Sequence, residues 1–295
     1  MADYILSCCS PADLSKEHFE RRNIKYLCFH VQLGNDQFLD DLGVSISHKE
    51  RYRRMVAGED AKTSQINMEE YYEYFESFLK EGKDLIHVTL SSGISGTINS
   101  AIIARDELRE KYPDRKIYVI DSLAASSGYG LLVDWLADKR DEGMNIDELA
   151  KFAEENRLRV NHWFFSSDLT FYIKGGRVSK AAGLIGTVLN ICPLLNVDYQ
   201  GKLTPREKIK SKKKVIKRIV EKMMECVENG SNYNGKCYIS NSDCLEDAKA
   251  VAALIEENIP ALKGKIEIYD IGATIGSHTG PGTVALFFIG KKRED

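Results

Sequence analysis

Between residues 85 and 142 the chain switches repeatedly between strand-like and helix-like patterning, and this switching sets the fold class. An apolar run at 85–90 gives way to Ser91-Ser-Gly-Ile-Ser-Gly-Thr97, then to a helical pattern at 98–111 that ends before Pro113. A second apolar run at 117–120 leads through Asp121-Ser-Leu-Ala-Ala-Ser-Ser-Gly128 into a helical pattern at 129–142, and another helix follows at 146–156. Short apolar strands alternating with crossover-length helices imply a parallel, doubly wound sheet.

Upstream, a brief strand at 4–7 precedes a turn at Pro11 and Asp13, a charged helix at 16–22 and a strand at 24–31. Residues 34–61 carry little pattern beyond a basic helical stretch at 48–55, which predicts loop and short helix. The clearest helix is 67–81, where Met68, Tyr71, Tyr72, Phe75, Phe78 and Leu79 form one apolar stripe. Asn67 and Glu70 have capping-box spacing, and Gly82 suits the exit.

The second half opens on an apolar strand at 162–166 and passes through Tyr172-Ile-Lys-Gly-Gly-Arg-Val-Ser179 into an apolar helix at 180–190, stopped by Pro193. Residues 194–210 alternate around Gln200-Gly201 as a hairpin would. A basic helix at 212–228, a strand at 237–240, a helix at 245–258 and strands at 266–271 and 284–289 complete a mixed sheet flanked by helices, with a loop at 272–282. The expected architecture is α/β in two domains, 1–160 and 161–295, with a ligand between them.

A chain of 295 residues, 43% hydrophobic, buries enough core to fold without disulfides or metal. Its seven cysteines show no CxxC pair, which predicts reduced thiols. A net charge of -3 and a pI of about 6.1 argue against nucleic acid as a main partner. Residues 1–9 lack the pattern of a cleavable leader, and the uncharged run 181–197 is too short to span a bilayer. A cytoplasmic location follows as the expectation.

The loops carry the chemistry. Ser91 to Thr97 places hydroxyls and two glycines between a buried strand and a helix start, where free N–H groups and a partial positive charge suit a carboxylate or phosphate. Serine and threonine also cap helices, so both readings stand. No P-loop or Gly-x-Ser-x-Gly elbow is present, and Gly280-Pro-Gly-Thr-Val-Ala285 opens a strand where a dinucleotide fingerprint needs a helix. Thr63-Ser-Gln65 reads as a turn or cap. Tyr172 to Arg177 joins paired glycines to two cations, and His278 lies in a glycine-rich segment from which it can reach a ligand. Carboxylates are too few for magnesium, and paired His or Cys ligands are missing, so neither metal nor cofactor is expected.

In order and over most of the chain, Thr63-Ser-Gln65, Ser91 to Thr97, Asp121-Ser122, Ile173-Lys-Gly-Gly-Arg-Val178, Pro193-Leu-Leu195 and Gly276-Ser-His-Thr-Gly-Pro-Gly282 resemble the bacterial DegV family. The resemblance implies a long-chain fatty acid held between two α/β domains by the binding subunit of a bacterial fatty acid kinase. That subunit presents the acyl carboxylate to a separate ATP-using kinase subunit, with no nucleic acid partner and at most transient membrane contact. The carboxylate would be held by Thr63, Ser64, Ser95, Gly96 and Thr97, with Arg177 and His278 close by. Ile173 and the helix residues Leu184, Ile185, Val188 and Leu189 would line the acyl chain.

Burying about sixteen carbons would bring roughly 12 kcal/mol gross at ~0.8 per methylene, much of it offset by ordering. The chain departs from the family at Cys8-Cys9, where Asp-Ser is usual, at Ile66 in place of a proline, and at Cys192 in place of a lysine. Two other readings remain: a serine hydrolase or acyltransferase using Ser95 with His278 as base, and a module whose basic stretch, 208–222, binds an acidic partner.

Overall fold

The computed structural model describes residues 4–179 and 191–294. β1 (Tyr4–Cys9) leads through α1 (Lys16–Arg21) to β2 (Lys25–Leu27). Next come β3 (His30–Leu33), β4 (Asp36–Leu39), α2 (His48–Val56) and β5 (Ala61–Ser64). The chain then runs through α3 (Met68–Lys80), β6 (Asp84–Thr89), α4 (Thr97–Lys111), β7 (Ile117–Asp121), α5 (Ser126–Asp141) and α6 (Ile146–Asn156). Strands β2-β1-β6-β7, in that order, form an all-parallel sheet. Leu85, Ile86 and Val88 are wholly buried, as befits a strand covered on both faces. At α3 the capping box forms as its spacing predicts: Asn67 Oδ1 accepts from Glu70 N–H at 2.8 Å, and Glu70 accepts from Asn67 N–H at 2.9 Å.

Residues 24–64 depart from the sequence reading. The run at 24–31 divides into β2 and β3, which belong to different sheets, and the presumed loop after it contains β4. Thr63 and Ser64 end β5, so they sit on a strand and not in a turn. Strands β4-β3-β5 make a small antiparallel sheet inserted between β2 and α3.

The second half contains β8 (Val160–Ser166), α7 (Thr170–Lys174), β9 (Ile191–Val197), β10 (Leu203–Lys210), α8 (Lys212–Cys226), β11 (Cys237–Asn241), α9 (Leu245–Asn258), β12 (Glu267–Asp270), α10 (Ala273–Thr279) and β13 (Thr283–Ile289). Its sheet runs β10-β9-β8-β13-β11-β12, antiparallel throughout except for β11 with β12. This is the expected mixed sheet, and β9–β10 is the expected hairpin. The presumed loop at 272–282 holds α10 instead. The apolar helix predicted at 180–190, with Leu184, Ile185, Val188 and Leu189, lies outside the described residues.

Period-two alternation gives this sheet two faces. Trp163 and Phe165 on β8, with Val284, Leu286 and Phe288 on β13, pack into a core with Val215, Ile219 and Met223 of α8 and Val251 and Ile255 of α9. The opposite face, including Phe164 and Phe287, joins the core of the first half. α5 lies between the two sheets, in contact with β1, β8, β11 and β13. It is therefore buried nearly all round rather than on one stripe.

One charge survives in that setting because it is paired. Asp134 of α5 meets Arg22 Nε at 2.7 Å, His18 Nε2 at 3.1 Å and Lys236 Nζ at 2.5 Å, and it accepts from Tyr238 Oη at 2.7 Å. Burial opposes its charge, but these partners win and hold the carboxyl far below the usual range. On the outer face, much of the basic stretch is neutralised locally: Lys212 pairs with Asp247, Arg218 and Lys222 share Glu207, and Lys222 also lies over the Trp163 ring.

Candidate functional site

β1 connects to β2 on one side while β6 and β7 extend the sheet on the other, so the order reverses between β1 and β6. In open α/β sheets ligands bind at the carboxyl ends of strands at such a reversal. A cavity of about 530 Å³ opens here, between the parallel sheet, the inserted sheet and the mixed sheet. Its polar end is formed by Thr63, Ser64, Ser95, Gly96, Arg177 and His278, and its apolar wall includes Phe29, Phe164, Val197, Leu203, Ile275 and Phe287. Ser64, Gln65, Ser92 and Gly96 are exposed, so the polar end reaches solvent.

The Ser91 to Thr97 segment is held on three sides. Ser91 N–H donates to Ala124 O at 3.1 Å, Ser92 N–H donates to Asp121 Oδ1 at 3.1 Å, and Ser91 Oγ donates to Gly201 O at 2.8 Å across from the β9–β10 hairpin. Asp121 thus has a local role as a loop anchor, also accepting from Leu123 N–H. α4 begins after Gly96 without a side-chain cap, although Ser95 Oγ accepts from Thr97 N–H at 3.3 Å. A helix start of this kind keeps donors and partial positive charge for an anion.

Opposite this loop, His278 Nε2 and Thr63 Oγ1 are hydrogen-bonded at 2.7 Å, joining α10 to β5. Burial, reinforced by the nearby Arg177 cation, pushes the imidazole down to about 4, so it is neutral at pH 7. Arg177 is itself pushed down by burial, yet a guanidinium remains charged at any ordinary pH. Nη1 donates to Gly175 O at 2.5 Å, and no carboxylate pairs with Arg177 among the described residues. Among the described residues the site therefore offers one cation with spare donors, a neutral imidazole and several hydroxyls, which suits a single carboxylate.

The glycine pair ahead of Arg177 has a steric reason. A Cβ on Gly175 would stand 2.4 Å from His278 Nδ1. Gly175→Ala is accordingly expected to displace the imidazole, break its bond to Thr63 and lower stability by about 1–3 kcal/mol. Thermal unfolding together with the His278 ring resonances would check this, and an unmoved ring would refute it.

Two residues expected at the site lie outside the cavity wall. Thr97 is wholly buried, and its hydroxyl bonds Tyr71 Oη at 2.8 Å. Ile173 packs against the main apolar core. Tyr71 in turn meets Cys9 Sγ at 3.2 Å, and Cys9 lies 3.4 Å from His87 Nε2. Cys8 and Cys9 thus occupy the end of β1 as buried neutral thiols, with burial pushing Cys9 up to about 12. The cavity also takes in His162, Phe164, Ala285 and Phe287, which the sequence reading missed. Their signal was the alternation along β8 and β13, whose other face fills the outer core. Among the described residues no group of three or more His, Cys, Asp or Glu is placed to hold a metal, and no helix is long and apolar enough to cross a membrane.

Comparison with known proteins fits this geometry. A family model described as "uncharacterised protein, DegV family" matches residues 10–291. The chain belongs to the DegV family. A DegV domain-containing protein of Clostridium perfringens is 36% identical over 294 residues, which is 100% of both chains. Among solved DegV-like structures, one from Thermotoga maritima, described as revealing fatty acid binding function, has a TM-score of 0.83 and 25% identity, covering 98% of this chain and 100% of its own. The fatty acid kinase B3 protein of Streptococcus pneumoniae, loaded with linoleic acid, has a TM-score of 0.81, covering 98% of this chain and 99% of its own. At 23% identity that likeness is one of fold. The DegV architecture of a parallel and a mixed sheet is thus reproduced here.

Proposed function

We propose that this chain binds a long-chain fatty acid in the cavity between its two halves, taken as domains 1–160 and 161–295, and presents the carboxylate to a separate ATP-dependent kinase subunit. The observation that carries the reading is the Thr63–His278 pair beside Arg177, at the solvent-reaching end of an apolar cavity. A carboxylate leaving water needs hydrogen bonds or a cation, and both are offered at this end. Ser64, Ser95, Gly96 and the helix start at Thr97 complete the head-group set, while the acyl chain follows the apolar wall. A cavity of this size falls within the range of small-molecule sites. Fatty acid binding by DegV-like neighbours supports the ligand, and the kinase partner follows from the family resemblance. A cytoplasmic location fits that partnership.

Lipid mass spectrometry of the purified protein should reveal a co-purifying fatty acid. Only empty protein from a lipid-replete host would overturn the proposal. Thr63→Ala and Ser95→Ala should each cut acyl-phosphate formation with a partner kinase by about tenfold or more, at little cost to tail binding. Unchanged turnover would remove those residues from the site. The hydrolase reading has less support, since His278 Nε2 is engaged by Thr63 and Nδ1 faces the Gly175 backbone.

A further inference from the structure

α10 is a helix that its own residues do little to favour, for Ala273-Thr-Ile-Gly-Ser-His-Thr279 contains a glycine and three hydroxyl side chains. It is fixed from far earlier in the chain. Asp40, wholly buried just past β4, accepts Ala273 N–H on Oδ1 at 2.8 Å and Thr274 N–H on Oδ2 at 3.1 Å. These are first-turn donors without intrahelical partners, and a carboxyl group there also faces the positive end of the helix. Arg51 of α2, also wholly buried, donates from Nη2 to Ile271 O at 2.9 Å, with its guanidinium 4.4 Å from the Tyr52 ring centroid. Gly276 makes the fit possible, because a Cβ there would come within 2.6 Å of Arg51 Nη2 and Tyr52 Oη.

His278 lies two residues beyond Gly276, and its partner Thr63 is on β5. The inserted unit of β3, β4, α2 and β5 therefore holds both ends of the head-group hydrogen bond: Thr63 directly, and His278 through Asp40 and Arg51. Contacts from β3, β5 and α2 to α10 make the unit a bracket around that helix.

We propose that Asp40 and Arg51 are positioning residues of the head-group site, holding α10 so that His278 meets Thr63 and a carboxylate is distinguished from a neutral head group. The ligand half of this statement rests on the function proposed above, and the geometric half does not. A recognition group has to be held within about 0.5 Å to keep its bond, and α10 has too little propensity of its own to do so.

The test compares the parent chain with Asp40→Ala, Arg51→Met and a control, Val215→Ala, in the core under α8. The His278 ring nitrogens are followed by NMR through a pH titration of unliganded protein, and affinities are measured for palmitate and hexadecanol. In both site variants His278 should titrate at least about one unit above its parent value, as water reaches the loosened ring. Palmitate affinity should fall about tenfold while hexadecanol changes less than about twofold. The control should lose stability and change neither readout. If folded Asp40→Ala and Arg51→Met keep the parent titration, the proposal is overturned. Asp40→Asn, which retains one acceptor, takes the place of Asp40→Ala if that variant does not fold. Should the parent bind no palmitate, the proposed function fails, and the titration alone still decides the positioning role.

Discussion

Asp134→Ala is expected to unfold in urea with a stability about 3–5 kcal/mol below that of the parent chain. The aspartate is buried between the sheets, and removing it takes away the anion that His18, Arg22 and Lys236 share, leaving Glu267 to the first and the more exposed Asp138 to the other two. The deficit depends on pH from both sides. Asp134 has a folded pKa below its unfolded value, so its contribution is present above about pH 4 and is lost as the pH falls further. For His18, burial alone would lower the pKa, but Asp134 and Glu267 outweigh it and hold it above the ordinary value. That contribution is complete below about pH 6.5 and fades as the pH rises through the folded pKa. The gap between parent and variant should therefore be widest between about pH 4 and 6.5. A gap below about 1 kcal/mol there, measured by urea denaturation, would mean that water replaces the carboxylate at little cost.

The second large effect belongs to Arg177. Arg177→Met should weaken long-chain fatty acid binding at least about 30-fold, the equivalent of about 2 kcal/mol, and leave the matching fatty alcohol within about twofold. The reason is charge. The neighbouring imidazole is neutral at pH 7, so the guanidinium supplies the cation among the described residues of the proposed head-group site. Its loss should also let His278 titrate higher, because Arg177 is one of the two causes that depress it. Equal losses for acid and alcohol, read by competition binding, would show that Arg177 supports the cavity and does not recognise the head group.

The parts legible in the sequence were those governed by local rules. The β6–α4–β7–α5 alternation, the Asn67–Glu70 box and the β9–β10 hairpin each rest on periodicity or spacing within a few residues. The inserted sheet escaped because its strands are short and half polar: Asp36-Gln-Phe-Leu39 and Ala61-Lys-Thr-Ser64 become strands by pairing with β3. α10 escaped because its cap, Asp40, lies far away in sequence and its composition favours a loop. Of the residues expected to hold the head group, Thr63, Ser64, Ser95, Gly96, Arg177 and His278 line one cavity, while Thr97 is buried with its hydroxyl bonded to Tyr71 on another helix. The ring pairing of His278 with Thr63 could not be read from either local segment, since each contains only one half of it.

The contact between the Ser91 to Thr97 segment and the β9–β10 tip bears on how such proteins can exchange parts. A Cβ on Gly93 would fall 2.6 Å from Gly201 C, and a Cβ on Gly201 would strike Ser91 Oγ. The two segments fit as one joint, although they lie in different halves of the chain. A chimera that takes its first half from one relative and its second from another would inherit two unmatched halves of that joint. Recombination between relatives can therefore succeed only where tip and segment already agree in shape, so the two are expected to be inherited as a pair.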